Sequence, residues 1–106
     1  MSVIIKSLGS GQLATSQGAL YTATSTTAIV MTVRLVNIHT AAVTVNLYFK
    51  QSGNSRQITP KDFTLAPGAR LVVDEELTLG VGDSLEGKAS SATKVDYVVS
   101  GVERLS

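Results

Sequence analysis

The segment Val43–Lys50 alternates strictly between two kinds of side chain. Val43, Val45, Leu47 and Phe49 fall on one side of an extended chain, and more polar residues fall on the other. Apolar residues of an amphipathic helix recur three and four positions apart, whereas these recur two apart. The alternation therefore predicts a strand of an antiparallel sheet with one buried and one exposed face.

Most of the chain follows the same pattern. Short segments rich in β-branched residues are separated by turn-forming residues, at the spacing typical of sandwiches and barrels. We therefore predict an all-β fold for residues 1–106: one domain, a two-sheet antiparallel sandwich, jelly-roll-like, with about eight short strands. The predicted strands are residues 3–8, 19–23, 27–38, 43–50, 69–74, 75–79, 84–89 and 94–104, with a brief extended stretch at 56–59.

Two neighbouring segments carry sharper predictions. In residues 27–38 the alternation predicts one face formed by Ile29, Met31, Val33 and Leu35. The short link 37–42 then predicts a hairpin that joins this strand to the next one.

Three glycine-containing sites predict turns or irregularities. Pro67-Gly68 predicts a tight turn, because proline presets φ at the second position and glycine accepts a positive φ at the third. The run Gly80–Asp83 predicts a second turn rather than a phosphate-binding loop, since no third glycine and no helix follow it. Gly101 predicts a bulge or a close approach of two backbones.

Composition restricts the partners of this domain. Nine Lys and Arg against eight Asp and Glu give a net charge of +1, so the basic excess of nucleic-acid binders is missing. Charged residues make up only 16% of the chain, and a weakly charged surface promotes association. The apolar-rich stretch 28–38 is too short and too polar to span a bilayer, and no secretory signal is visible. We expect no nucleic-acid or membrane partner, cytoplasmic synthesis, and a flexible N-terminal arm over residues 1–18.

The residues for catalysis or metal binding are few. The chain has one histidine, His39, and no cysteine, which excludes the common zinc sets. No Gly-x-Ser-x-Gly turn presents a serine nucleophile. The run Asp74-Glu75-Glu76 does not converge on an extended chain, and Asp83 and Glu86 form a poor acid/base pair. We expect no enzyme activity, no catalytic, metal-binding or cofactor-binding residue, no cofactor and no small-molecule substrate.

Two residues are candidates for a protein interface. Tyr48 lies on the side of its predicted strand opposite the apolar residues, and Arg34 lies on the more polar side of the preceding strand. Tyrosine and arginine are enriched at the energetic centres of interfaces. If the two strands form a hairpin, Arg34 is expected close to Tyr48.

The chain from about residue 28 to 104 resembles a family of small virion proteins of tailed bacteriophages. The resemblance is carried by Leu65-Ala66-Pro67-Gly68-Ala69-Arg70-Leu71-Val72-Val73, by Leu77-x-Leu79-x-x-Gly82-Asp83-Ser84-Leu85-Glu86-Gly87, by Val95–Glu103, and by Val36-Asn37 followed by Ala42–Tyr48. It implies a β-sandwich or jelly-roll module. Small stand-alone members resemble capsid decoration (cement) proteins, which join neighbouring major-capsid subunits from outside.

The resemblance implies a function without catalysis. It predicts a capsid-exterior protein whose partners are the major capsid protein and further copies of itself, as a dimer or trimer. Similar modules occur in phage tails and fibres, so a tail or fibre module for host-surface binding or tail assembly is the alternative.

Overall fold

The computed structural model describes residues 2–24, 27–74 and 76–105, and it is all-β. These residues contain ten strands and no helix. The strands are β1 (Ser2–Gln12), β2 (Gly18–Thr22), β3 (Thr27–Asn37), β4 (Val43–Gln51), β5 (Asn54–Gln57), β6 (Phe63–Leu65), β7 (Arg70–Val73), β8 (Leu77–Leu79), β9 (Ser84–Ala89) and β10 (Val95–Leu105).

The strands form two antiparallel five-stranded sheets that pack face to face. Sheet I has the order β1-β10-β3, and its last position is shared by β7 and β8, which both pair with β3. Sheet II has the order β2-β9-β4, and its last position is shared by β5 and β6, which both pair with β4. Ten strands thus occupy eight positions, because each sheet has one edge split into two short strands.

This order is that of a jelly roll. The chain pairs β1 with β10, β2 with β9, β3 with β7 and β8, and β4 with β5 and β6, as one long hairpin would. Rolling that hairpin also brings β10 beside β3 and β9 beside β4, which closes the two sheets. The prediction of an all-β jelly-roll-like sandwich is confirmed.

The core lies between the inward faces of the two sheets. Val43, Val45 and Leu47 of β4 are fully buried, as their alternation predicted, and they face Val33, Leu35, Val95 and Val99 of sheet I. A hydrogen bond also joins the sheets, because the Tyr21 hydroxyl donates to Glu103 Oε2 at 2.6 Å.

No helix in the described part of the chain is long and apolar enough to cross a membrane.

The face predicted for Ile29, Met31, Val33 and Leu35 is correct for only half of β3, and the side chain of Met31 lies outside the described residues. Val33 and Leu35 are buried, but nearer the start of the strand Ala28 and Val30 are buried while Ile29 is only half-buried. The cause is a bulge: β3 carries one residue more than β10 between the pairs Thr32–Ser100 and Val30–Gly101. One extra residue exchanges the two faces of a strand.

Gly101 lies at this bulge, as predicted. A Cβ added there would come within 2.1 Å of the Ile29 carbonyl oxygen, so only glycine lets the two backbones approach this closely.

The Pro67-Gly68 turn is also confirmed. Gly68 has φ 74°, and the Ala69 N–H donates to the Ala66 carbonyl at 2.9 Å.

The link between β3 and β4 is not a hairpin. β3 belongs to sheet I and β4 to sheet II, so residues 38–42 carry the chain from one sheet to the other. The fully buried Asn37 side chain holds this crossing: its Nδ2 donates to the carbonyls of Ala41, Leu65 and Ala66 at 3.0, 3.0 and 3.2 Å, and its Oδ1 accepts from the His39 N–H at 2.8 Å.

Residues 2–18 differ from the flexible arm that was predicted for residues 1–18. Residues 2–12 form β1, which pairs with β10 from Ser2–Leu105 to Gln12–Asp96. The following link is tied to the core by Leu13, which is 1% exposed and whose N–H donates to the Val95 carbonyl at 2.9 Å. The polar composition suggested an arm, whereas the hydrogen bonds of a strand do not depend on apolar side chains.

Candidate docking surfaces

The outer face of sheet I carries a row of exposed apolar side chains around one arginine. Arg34 of β3 pairs with Val98 of β10 on one side and with Val72 of β7 on the other. All three are exposed, Val98 to 42% and Val72 to 45%. The bulge in β3 does not disturb this part of the strand, so the three side chains project from the same face. We call them the Val98–Arg34–Val72 row.

Charges of both signs lie beside this row. Two residues after Arg34 in β3, on the same face, Val36 pairs with Asp96 of β10 on one side and with Arg70 of β7 on the other. The Gln12 side chain donates to Asp96 Oδ1 at 3.0 Å, which holds that carboxylate at the β1 side of the sheet. The surface therefore combines two exposed valines with an arginine and with charged neighbours of both signs, a mixture of apolar and polar side chains that is common at protein interfaces.

The outer face of sheet II is polar and internally hydrogen-bonded. Asn46 is 3% exposed although it points away from the core. Its Nδ2 donates to Asp62 Oδ1 at 3.0 Å, and its Oδ1 accepts from the Asp62 N–H at 2.9 Å and from Gln57 Nε2 at 2.6 Å. These bonds fix the loop between β5 and β6 against β4.

A shallow polar pocket of about 170 Å³ lies beside this network. Its lining includes Thr15, Thr44, Asn46, Asp62, Lys88 and Ser90. The Thr44 N–H donates to Ser90 Oγ at 3.0 Å, so part of the lining is also occupied by bonds within the protein.

Tyr48 lies on this polar face of sheet II. It is half-buried and pairs with Gln57 of β5 and with Glu86 of β9. Glu86 accepts from Gln17 Nε2 at 2.7 Å, and the Lys50 ammonium lies 4.0 Å from its other oxygen. Tyr48 is therefore surrounded by polar neighbours and not by an apolar patch.

The structure does not bring Arg34 and Tyr48 together. Arg34 projects from the outside of sheet I and Tyr48 from the outside of sheet II, with the core between them. Their expected proximity was wrong because it rested on a hairpin between β3 and β4. Each residue belongs to a separate candidate surface.

The remaining sequence candidates are dispersed. His39 lies half-buried in the link after β3, and Asp74 and Glu76 are exposed between β7 and β8, while Glu75 lies outside the described residues. Asp83 closes the Gly80–Asp83 turn by accepting from the Gly80 N–H at 3.0 Å. Over the described residues, no group of three His, Asp or Glu side chains is arranged to hold a metal ion.

Sequence reasoning did not name Val72 and Val98 as candidate interface residues. Both belong to unbroken apolar runs, Leu71-Val72-Val73 and Val98-Val99, in strands that otherwise alternate. In a strand with one buried face, such a run must place an apolar side chain outside. That signal was present in the sequence and would have identified them.

No protein-family model, curated protein or solved structure matches this chain.

Proposed function

We propose that this chain is a non-enzymatic structural protein of a tailed-phage virion, acting as a head decoration protein that binds the outer capsid surface. Its partners in this proposal are the major capsid protein and further copies of the chain. The capsid as partner comes from the resemblance of residues 28–104 to small virion proteins. The docking surface comes from the geometry.

The observation that carries the proposal is the Val98–Arg34–Val72 row. Two valines, each with more than two-fifths of its surface exposed, flank an arginine across three adjacent strands. Exposed apolar side chains next to an arginine are suited to binding another protein, since burial of the valines excludes water and the guanidinium pairs with acceptors on the partner.

A small docking surface is sufficient for a decoration protein. A capsid presents many equivalent sites, and a self-associated decoration protein engages several of them at once. Linked binding events are strengthened by the high effective concentration of the second site. A modest patch on each copy can therefore hold the assembled layer firmly.

Binding to bare capsids tests the proposal directly. Purified protein is titrated onto decoration-free capsids of the phage that encodes it, and bound protein is quantified after sedimentation. We expect saturation at a fixed number of copies per capsid subunit and a higher temperature of capsid disruption. Failure to bind at micromolar protein would contradict the proposal.

The alternative, a tail or fibre module, is favoured by one feature, the polar pocket on the outer face of sheet II. Hydroxyl, amide and charged groups line it, as they line sites for polar ligands such as glycans. Copy number separates the two candidates. Quantitative mass spectrometry of purified particles is expected to find hundreds of copies for a decoration protein, whereas a handful of copies would favour the tail.

A further inference from the structure

The four outer edges of the sandwich differ in length and protection. On one side, sheet I ends in β7 and β8, four and three residues long, with Asp74 and Glu76 between them. On the same side, sheet II ends in β5 and β6, also four and three residues long, with Pro60 in the intervening loop. The other edge of sheet II is the five-residue strand β2. Short strands, charges and proline all discourage pairing with another chain.

β1 is far less protected. It is an edge strand of eleven residues without proline, Lys6 is its one charged residue, and one bulge interrupts its pairing with β10 between Ser7 and Gly9. In the described part of the chain, β10 is its only strand partner. The other side of β1 is therefore a nearly continuous row of backbone N–H and C=O groups, about 36 Å long at roughly 3.3 Å per residue. A long, weakly protected edge of this kind is a template for a further strand.

The described side chains of β1 leave this edge accessible. Ser7, Ser10, Gly11 and Gln12 are exposed, and serine and glycine are too small to shield the backbone beside them. Among the described residues, no backbone hydrogen bond outside the sheet ladders involves residues 7–12. The outward backbone groups must then be hydrated, and an added strand replaces that water with direct hydrogen bonds.

We infer that β1 pairs in antiparallel orientation with β1 of a second copy of this chain. Two identical antiparallel strands are related by a twofold axis, so each hydrogen bond in one half of the interface recurs in the other. The pairing forms on the order of ten backbone hydrogen bonds and joins the two copies of sheet I into one continuous sheet. Because each copy has one such edge, the assembly stops at a dimer.

Charge favours a second copy as the occupant. The net charge of the chain is +1, and β1 contributes only Lys6, so two copies repel each other weakly. The Val98–Arg34–Val72 row lies on the sheet face, perpendicular to the edge, and stays exposed in the dimer. The inference specifies the self-association included in the proposed function, but its test contains no capsid, so either can fail without the other.

Lysines placed along the edge test the inference. The variant Ser7→Lys/Ser10→Lys puts two charges on the outer face of β1 in each copy, where they meet the charges of the partner strand. The matched control Ser100→Lys/Thr78→Lys adds the same charge to exposed residues of the same face, on the inner strand β10 and on the opposite edge strand β8. Mass is measured by light scattering over a concentration series.

We expect a dimer for the wild type and for the control, and a dissociation constant at least about tenfold higher for the edge variant. A wild type that stays monomeric throughout the series would overturn the inference. So would equal dissociation of the edge variant and the control, because that result would place the contact on the sheet face.

Disulfide trapping gives a second readout that needs no destabilising charge. The chain has no cysteine, so single cysteines introduced in turn at Ser7, Ser10 and Gln12 report only on their own position. The position nearest the twofold axis is expected to form a disulfide-linked dimer on mild oxidation. Ser100→Cys is the control, because two β10 strands would be separated by about 14 Å across the paired β1 strands. The inference would also be refuted if Ser100→Cys formed a disulfide-linked dimer while none of the three single cysteines in β1 did.

Discussion

At the residue scale, the buried polar side chain of Asn37 determines how the chain passes between the sheets. Its amide donates to three carbonyls, one at Ala66, where the Pro67-Gly68 turn begins, and one at Leu65 just before it. Its backbone N–H also donates to the Ala69 carbonyl, and its carbonyl accepts from the Gly68 N–H. One side chain thus connects the crossing after β3 with the turn before β7, and it leaves none of these buried groups without a partner.

Replacing Asn37 is expected to destabilise the domain strongly. Asn37→Ala removes the donor from three carbonyls and the acceptor from His39, and we expect a loss of about 2–4 kcal/mol in the free energy of unfolding, measured by urea denaturation. Asn54→Ala, at an exposed asparagine of β5, is the control and should change stability by less than about 0.5 kcal/mol. Equal effects of the two variants would show that the Asn37 network is unimportant.

Gly101 provides a second prediction at this scale. Gly101→Ala forces its Cβ against the Ile29 carbonyl, which belongs to a paired strand and cannot move freely. We expect a loss of about 3 kcal/mol or more in thermal or chemical unfolding. Gly18→Ala is the control, since a Cβ there meets nothing within 4 Å. A Gly101→Ala variant as stable as Gly18→Ala would contradict the close approach.

At the scale of elements, the strands were predictable and their sheet assignment was not. Alternation identifies a strand because it depends only on the side-chain pattern of that strand. Whether residues 38–42 turn within one sheet or cross to the other depends on where β4 finds a partner. The bulge in β3 is similar: the extra residue is visible only against β10, and it exchanged the faces of Ile29 and Val30.

The link between β1 and β2 gives the prediction for this scale. Leu13 is buried among core residues, and its side chain packs against Gly87 of β9. We therefore expect Leu13→Ala to lower the free energy of unfolding by about 2–5 kcal/mol in urea denaturation. Ser16→Ala, at an exposed residue of the same link, should change it by less than about 0.5 kcal/mol. A negligible effect of Leu13→Ala would support a flexible arm instead.

At the scale of the whole molecule, the two outer faces have different chemistry. Sheet I presents the Val98–Arg34–Val72 row, whereas sheet II presents amide and charged groups that hydrogen-bond one another. The groups on sheet II have already replaced part of their water with protein partners. Apolar surface still in contact with water drives association more strongly, so sheet I is the expected docking face.

Capsid binding by surface variants tests which face is used. Val72→Lys replaces an exposed apolar side chain at one end of the Val98–Arg34–Val72 row with a charge, and we expect its affinity for bare capsids to fall by about tenfold or more in the sedimentation assay. Val81→Lys is the matched control, because Val81 is a valine exposed to 62% in the turn between β8 and β9. If Val81→Lys weakens binding and Val72→Lys does not, the row is not the docking surface.

The sequence by itself determined the fold class, most strands and two of the tight turns, because alternation, proline and glycine act through local backbone and side-chain preferences. It also suggested the wrong neighbour for Tyr48 and a free arm where β1 lies. The tertiary structure alone decided the partner of each strand and the faces exchanged by the bulge. These depend on contacts between residues far apart in the chain, and no local pattern records which distant backbone a strand will meet.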